Sequence, residues 1–335
     1  MVIRGSFYGL LLGVLVVMLP LNTQAADVRS SAPGERLVDV GGYMMNSVLV
    51  ESSGDHHDLP PIVFIHGASA NLRDPMVALR NKLEGRAQLL FIDRPGHGRS
   101  QIGSKANILP DGQADAIAVV MEKRGIAKAI IVGHSYGGAI AAAFALRHPE
   151  KVAGLLFLSP AVYDWPGGVS WYYDAARVPV SGVLFSTLIA PPAGLLAIAG
   201  ATKSVFAPNR VPENYIKKTN ALQVLRPLAF RHNALEVASL NDWARVASRR
   251  YPTIKAKTII ITGDADGVVS PEIHSRQLAN AITGAQLLVV HNLGHKPDYI
   301  AGDLVVAAIE KLAGKQRDLA KAVDVVEKRI ANDGR

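Results

Sequence analysis

The chain contains no cysteine among its 335 residues. That single absence excludes disulfides, cysteine-ligated zinc, iron–sulfur clusters and thiol nucleophiles. Charge is sparse as well: Asp, Glu, Lys and Arg make up 19% of the chain, which excludes a solvated, unfolded polymer. Aromatics are only 6%, and no basic run is interleaved with them as a nucleic-acid surface would require. Acid is in deficit, so the formal net charge is +8. The positive charges are scattered, with modest concentrations at Arg245, Arg249, Arg250, Lys255 and Lys257 and in the C-terminal tail. The reading is a solvated basic exterior with weak attraction to anionic surfaces, and no nucleic-acid partner.

What is present begins with a leader. Arg4 precedes an apolar run from Phe7 to Leu19, followed by Pro20 and the small-residue stretch Thr23-Gln24-Ala25-Ala26. A charged start, a short apolar run and a small-x-small site predict a signal peptide over residues 1–25 and an exported, periplasmic or secreted protein. An uncleaved membrane anchor is the alternative, since the run approaches spanning length. A second apolar stretch, Val178 to Ala201, contains Pro179, Pro191 and Pro192. These prolines are expected to break it into pieces too short to span.

The mature chain reads as α/β. Leu37–Val40 and Met44–Glu51 look like strands of a hairpin around Gly41-Gly42. Short continuous apolar runs follow at Pro61–His66, Gln88–Asp93, Ala129–Gly133, Val152–Ser159, Thr258–Gly263 and Ala285–His291. Helical patterns at Pro75–Leu83, Asp111–Arg124 and Ser135–Arg147 lie between several of them. Alternation of this kind predicts a mostly parallel sheet covered by helices on both faces, with the hairpin as an antiparallel edge. Between residues 161 and 251 the alternation stops. Trp165, Trp171, Tyr172 and Tyr173 lead into the apolar stretch, then helix-like segments at Pro212–Leu225 and Ala234–Arg249. An insertion this long predicts a helical cap after the sixth strand. The expected order is a signal over 1–25, a sheet-bearing core over 26–160, cap over 161–251, core again over 252–314, and an amphipathic helix over 315–335. That last helix would present Leu319, Val323, Val326 and Ile330 on one face.

The strongest chemical signal is Gly133-His134-Ser135-Tyr136-Gly137-Gly138, between an apolar strand and an alanine-rich helix. A serine at such a strand-to-helix turn is held exposed in a strained conformation, and flanking glycines make room for crowded backbone. A serine needs a base, and His295 follows the last strand. The histidine needs an acid, and Asp266 follows the preceding strand. Asp264 in the same loop and Asp164 after the sixth strand compete for that role. A tetrahedral oxyanion needs two donors. The backbone N–H of Tyr136 is one, and that of Ala68 the other, with Ser69 the lesser alternative. His134 is read as packing, and His56-His57 as a polar loop rather than a metal site, so no metal and no cofactor are expected.

These pieces, with His66-Gly67-Ala68-Ser69, Asp93-Arg94-Pro95-Gly96-His97-Gly98-Arg99-Ser100, Gly263-Asp264-Ala265-Asp266 and Gly294-His295, resemble the α/β-hydrolase fold superfamily. The likeness is to its lid-bearing branch of esterases, lactonases, carbon–carbon bond hydrolases and haloperoxidase-like perhydrolases. It covers the core from about Leu37 to Lys311, not the cap, leader or tail. It implies a serine rather than aspartate nucleophile, disfavouring haloalkane dehalogenases and epoxide hydrolases, and makes Asp93 and His97 scaffold. Lys296-Pro297-Asp298 departs from the apolar or acidic residues common in relatives, and is expected at the pocket rim. The function expected is an exported serine hydrolase acting through an acyl-enzyme on a small hydrophobic carboxylic ester or lactone. A carbon–carbon bond hydrolase or perhydrolase with the same residues, and a non-catalytic binding protein on the same fold, stand as alternatives. Membrane-surface association and oligomeric state stay open at this point.

Overall fold

Six short runs of consecutive apolar residues form strands, five of them buried on both faces and the last, at the sheet edge, part-buried, and they set the architecture. In this computed structural model, residues 33–52 and 57–333 are described. The leader at 1–25 and His56 lie outside them. The eight strands are β1 (Glu35–Asp39), β2 (Met44–Val50), β3 (Ile62–Ile65), β4 (Leu89–Ile92), β5 (Ala129–His134), β6 (Val152–Leu158), β7 (Thr258–Gly263) and β8 (Gln286–Val290). They form one sheet in the order β1-β2-β4-β3-β5-β6-β7-β8. β1 and β2 pair antiparallel around Gly41-Gly42, β2 joins β4 antiparallel, and every other pairing is parallel. The sequence expectation for strands and sheet is met.

Because successive strand residues point to opposite faces, each run feeds two cores. Val63, Ile65, Ile131, Leu155, Phe157 and Ile260 pack under α2 (Pro110–Lys123) and α3 (Tyr136–Arg147), after α1 (Arg73–Leu83) in the chain. Ile62, Phe64, Phe91, Ile130, Leu156 and Ile261 face the other way. There they meet α1 and, near the C-terminus, α11 (Gly302–Leu312) and α12 (Leu319–Asp333). Phe64 and Phe91 stack with ring centroids 4.7 Å apart. In α12, Leu319 and Val326 are buried and Val323 and Ile330 half-buried, the stripe expected from their spacing.

Between β6 and β7 the chain is helical: α4 (Trp171–Arg177), α5 (Ser181–Leu184), α6 (Ala190–Phe206), α7 (Tyr215–Lys218) and α8 (Pro227–Ala247). Among the described residues core and cap helices form one unit. Two expectations fail here. Pro191 and Pro192 do not break the apolar stretch, and Pro179 lies in the turn before it: Ser181–Phe206 runs as a continuous 26-residue helix, long and apolar enough to cross a membrane. A π-turn at Phe185–Ile189 precedes Pro191 and Pro192, which therefore occupy the first turn of α6. There a missing N–H costs least, and the widened turn relieves the proline rings. Conversely, Pro212–Leu225 is not one helix. Asn214 and Asn220, at φ 59° and 52°, turn left-handed and divide it into α7 and a 3₁₀ segment. α8 starts earlier than expected, with Pro227 pre-set for its first turn. The core is completed by α9 (Ser275–Ala281) and α10 (Pro297–Ile300).

Cap and core meet at a buried charge cluster. Glu236 of α8 accepts from Arg94 Nη1 at 3.0 Å and from His97 Nε2 at 2.7 Å, and both ion-pair side chains, Arg94 and Glu236, are fully buried. Gln113 of α2 donates to the same carboxylate at 2.7 Å. Burial alone would raise the Glu236 carboxyl, but Arg94 and His97 hold it well below the ordinary glutamate range. Burial, then Arg94, push His97 down to about 4 against the pull of Glu236. Glu236→Ala leaves Arg94 buried without a counter-charge, so a loss of about 3–5 kcal/mol in urea unfolding is expected. Acidification is expected to destabilise too. Between about pH 6.5 and 4 the unfolded chain protonates at His97 while the folded chain does not. Stability therefore falls with pH across that window, by up to about 1.4 kcal/mol per pH unit from this residue. A urea midpoint flat from pH 7 to pH 4 would contradict this.

Candidate active site

Ser135 is the single residue between β5 and α3, at φ 53° and ψ −118°. A non-glycine residue rarely adopts such a conformation, and here backbone bonds impose it. Its N–H donates to Leu158 at 2.9 Å, and its carbonyl accepts from Gly138 at 2.9 Å and Ala161 at 3.1 Å. Clearance explains the glycines. A Cβ on Gly133 would come 2.4 Å from the Gly137 carbonyl oxygen, and one on Gly137 would come 2.2 Å from that of Ile65. Among the described residues the Ser135 hydroxyl makes no hydrogen bond, a looseness common in ligand-free sites.

The loops after β7 and β8 bring Asp266 and His295 together. His295 Nδ1 donates to Asp266 Oδ2 at 2.8 Å, leaving Nε2 as the acceptor nitrogen. Asp266 Oδ1 accepts from the backbone N–H groups of Val268 and Val269, each at 2.9 Å. Burial would raise the Asp266 carboxyl, but His295 and these two N–H groups bring it below the usual aspartate value. Asp264 goes elsewhere, to exposed His291 Nδ1 at 2.7 Å and the Asn292 N–H. Asp164 makes no hydrogen bond to His295 among the described residues.

Of the backbone donors expected around the serine, those of Ala68 and Tyr136 donate to no hydrogen bond among the described residues. The Ser69 N–H is already committed, donating to Asn233 Oδ1 of α8 at 2.8 Å, while Asn233 Nδ2 donates to Ser69 Oγ at 3.0 Å. Arg94 steadies both sides of this loop: Nη2 donates to the Gly67 carbonyl at 3.1 Å, and its guanidinium lies 4.6 Å from the Tyr136 ring centroid. Asp93 is scaffold, accepting from Leu72, Arg99 and Asn46 at 2.8, 2.9 and 2.9 Å. Tyr173 Oη reaches Ser69 Oγ at 3.3 Å, whereas Trp171 is exposed, so the aromatic group divides between loop and surface.

Beneath His295 lies a network that local sequence did not reveal. Lys296 is not at a rim: it is buried, with Nζ 2.7 Å from Asp74 Oδ2 and 3.1 Å from Asp298 Oδ2. Only an internal counter-charge makes such burial tolerable, and Asp74 arrives from α1, more than two hundred residues away. Burial, then the Asp74 charge, push Asp298 up to about 6 against Lys296. Tyr215 of α7 donates to Asp74 Oδ1 at 2.8 Å, and His134 Nε2 donates to the His295 carbonyl at 2.8 Å. Asp74, His134 and Asp298 are close enough to share a cation, and the Lys296 ammonium pairs with the two carboxylates of that group. Asn209, also missed, accepts from the Gly294 N–H at 2.8 Å.

Known proteins share this architecture. The sequence profile described as alpha/beta hydrolase fold matches residues 60–297. Lipase 3 of Moraxella sp. (strain TA144) is 27% identical over 261 residues, covering 74% of this chain and 76% of its own. Lipase 1 of Psychrobacter immobilis is 24% identical over 249 residues, 71% of each chain. The crystal structure of the enol-lactonase from Burkholderia xenovorans matches with a TM-score of 0.68 at 18% identity, over 84% of this chain and 100% of that one. The profile match runs from before β3 into α10, through every strand that carries a site residue, and this chain is a member of the alpha/beta hydrolase fold family and a hydrolase.

Proposed function

We propose that the protein is an exported serine hydrolase of carboxylic esters with a hydrophobic acyl or aryl group, lactones included. The observation that carries the reading is the Asp266–His295 hydrogen bond in the loops beside the strained Ser135. In this mechanism Ser135 Oγ attacks the ester carbonyl carbon while its proton passes to His295 Nε2. Asp266 fixes the tautomer and stabilises the imidazolium. The carbonyl oxygen, now an anion, is held by the N–H groups of Ala68 and Tyr136, helped by the positive end of α3. Collapse expels the alcohol, which takes the proton from His295 and leaves Ser135 acylated. Water then repeats the sequence and releases the acid.

The similarity to two proteins named lipases supports an ester over a carbon–carbon bond. So does the surrounding chemistry. Cleavage of a vinylogous diketone calls for an arginine or asparagine facing the serine, yet Arg94 is committed to Glu236 and both ends of the Asn233 amide are on Ser69. Export rests on the leader at 1–25, and the +8 charge favours anionic surfaces.

Intact-mass analysis after a fluorophosphonate probe tests the reading. One adduct on the wild type, absent from Ser135→Ala, is expected; no adduct on folded wild type would favour a non-catalytic binding protein. With a reactive ester in hand, Asp266→Asn should lower kcat by about 10⁴-fold. Asp264→Asn should leave it within a few fold, since that carboxylate serves His291. Equal losses from the two variants would overturn the choice of acid.

A further inference from the structure

The helix Ser181–Phe206 is built the wrong way round for a water-facing element. Its inward line, spaced by four residues, is Gly182, Ser186, Ala190, Gly194, Ile198, Thr202 and Phe206, small for most of its length. Gly194 sits so close to Leu225 that a Cβ would come 2.2 Å from its Cδ2. The large apolar side chains point outward instead: Leu184, Leu188, Ile189, Leu195 and Leu196 are exposed, Leu196 by 89%. Val180 at 76% extends the same surface. A helix folded only against its own protein does the reverse, turning leucine in and small or polar residues out. A contiguous apolar surface of this kind marks an interaction site.

Charge identifies the occupant. Residues 175–212 contain no Asp or Glu; Arg177 pairs with the flanking Asp174 at 3.1 Å, which leaves Lys203 and Arg210 as the cations of the segment. Lys203 and Arg210 are exposed and form no ion pair among the described residues. A second copy of this face would bring these cations together with no carboxylate in the segment to meet them. An anionic bilayer supplies both an apolar interior and negative headgroups. Length and composition would permit a span, but the inward line is seated on the rest of the cap, so the helix lies on the membrane rather than crossing it.

We propose that this helix is a docking face for anionic phospholipid bilayers, with its leucines in the headgroup–acyl boundary and Lys203 and Arg210 on the headgroups. The inference locates the surface attraction proposed above, and is tested without turnover. The full chain carrying Ser135→Ala has no native cysteine, so Leu196→Cys can be labelled uniquely with an environment-sensitive fluorophore. Val325→Cys, at an exposed position on α12, provides the control. Vesicles are phosphatidylcholine alone, or with about a quarter phosphatidylglycerol. The expected result is a blue-shifted label at 196, quenched by lipid-borne doxyl groups, with no change at 325. The phosphatidylglycerol vesicles should bind about tenfold or more tightly than phosphatidylcholine alone, and K203E/R210E should remove that preference. Three results would overturn the proposal. A label at 196 that stays water-like on vesicle-bound protein places the contact elsewhere, such as the leader. A blue shift without vesicles that grows with protein concentration assigns the face to a second copy. Equal response to the two vesicle types removes the anionic partner. None of these depends on whether Ser135 is a nucleophile, which the fluorophosphonate adduct decides separately.

Discussion

Arg94 is the point on which core, cap and candidate site converge. Its guanidinium is fully buried, and it is tolerable there only because Glu236 crosses from α8 to meet it. One end therefore fixes the cap to the loop after β4. The other end holds the Gly67 carbonyl, and the guanidinium face lies over Tyr136. Gly67 and Tyr136 flank the space in front of Ser135, so one side chain sets the spacing between the two loops that would hold an oxyanion. Asn233, one turn of helix before Glu236, clasps Ser69 in the same loop. Placement of the cap and geometry of the site are therefore a single problem in this protein.

The arrangement is costly in local terms. Ser135 is strained, two carboxylates and an ammonium are buried under His295, and four histidines, His66, His97, His134 and His274, are kept below their ordinary protonation range, chiefly by burial. What opposes these costs is the sheet, with apolar side chains on both faces from β3 to β7 and helices over each. Rigidity there lets strain persist at the strand ends, where function is concentrated.

Much of this was legible in the sequence, for a physical reason. A strand buried on both faces must be apolar throughout, so β3 to β7 announce themselves, and a serine elbow crowded by backbone must be flanked by glycine, so Ser135 does too. Asp266 and Asp264 share one loop and one chemistry, and only the fold separates them. The pairings that escaped notice act across long stretches of chain. Arg94 and Glu236 are 142 residues apart, Ser69 and Asn233 164, Asp74 and Lys296 222. No local pattern can pair them. In the cap the errors ran both ways. Prolines suggested breaks that a π-turn absorbs, while Asn214 and Asn220 imposed breaks that their helix propensity did not advertise.

The order of the elements along the chain has a consequence for synthesis. Ser135 lies before the cap, whereas Asp266 and His295 lie after it, on the loops following β7 and β8. A ribosome therefore delivers the serine well over a hundred residues before either partner. On the mechanism proposed here, the nascent chain carries an inert alcohol through most of its production. It acquires a base only when the last two strands add to the growing edge of the sheet. Reactivity is thus tied to completion, and a product cut short within or just after the cap is chemically silent however well it folds.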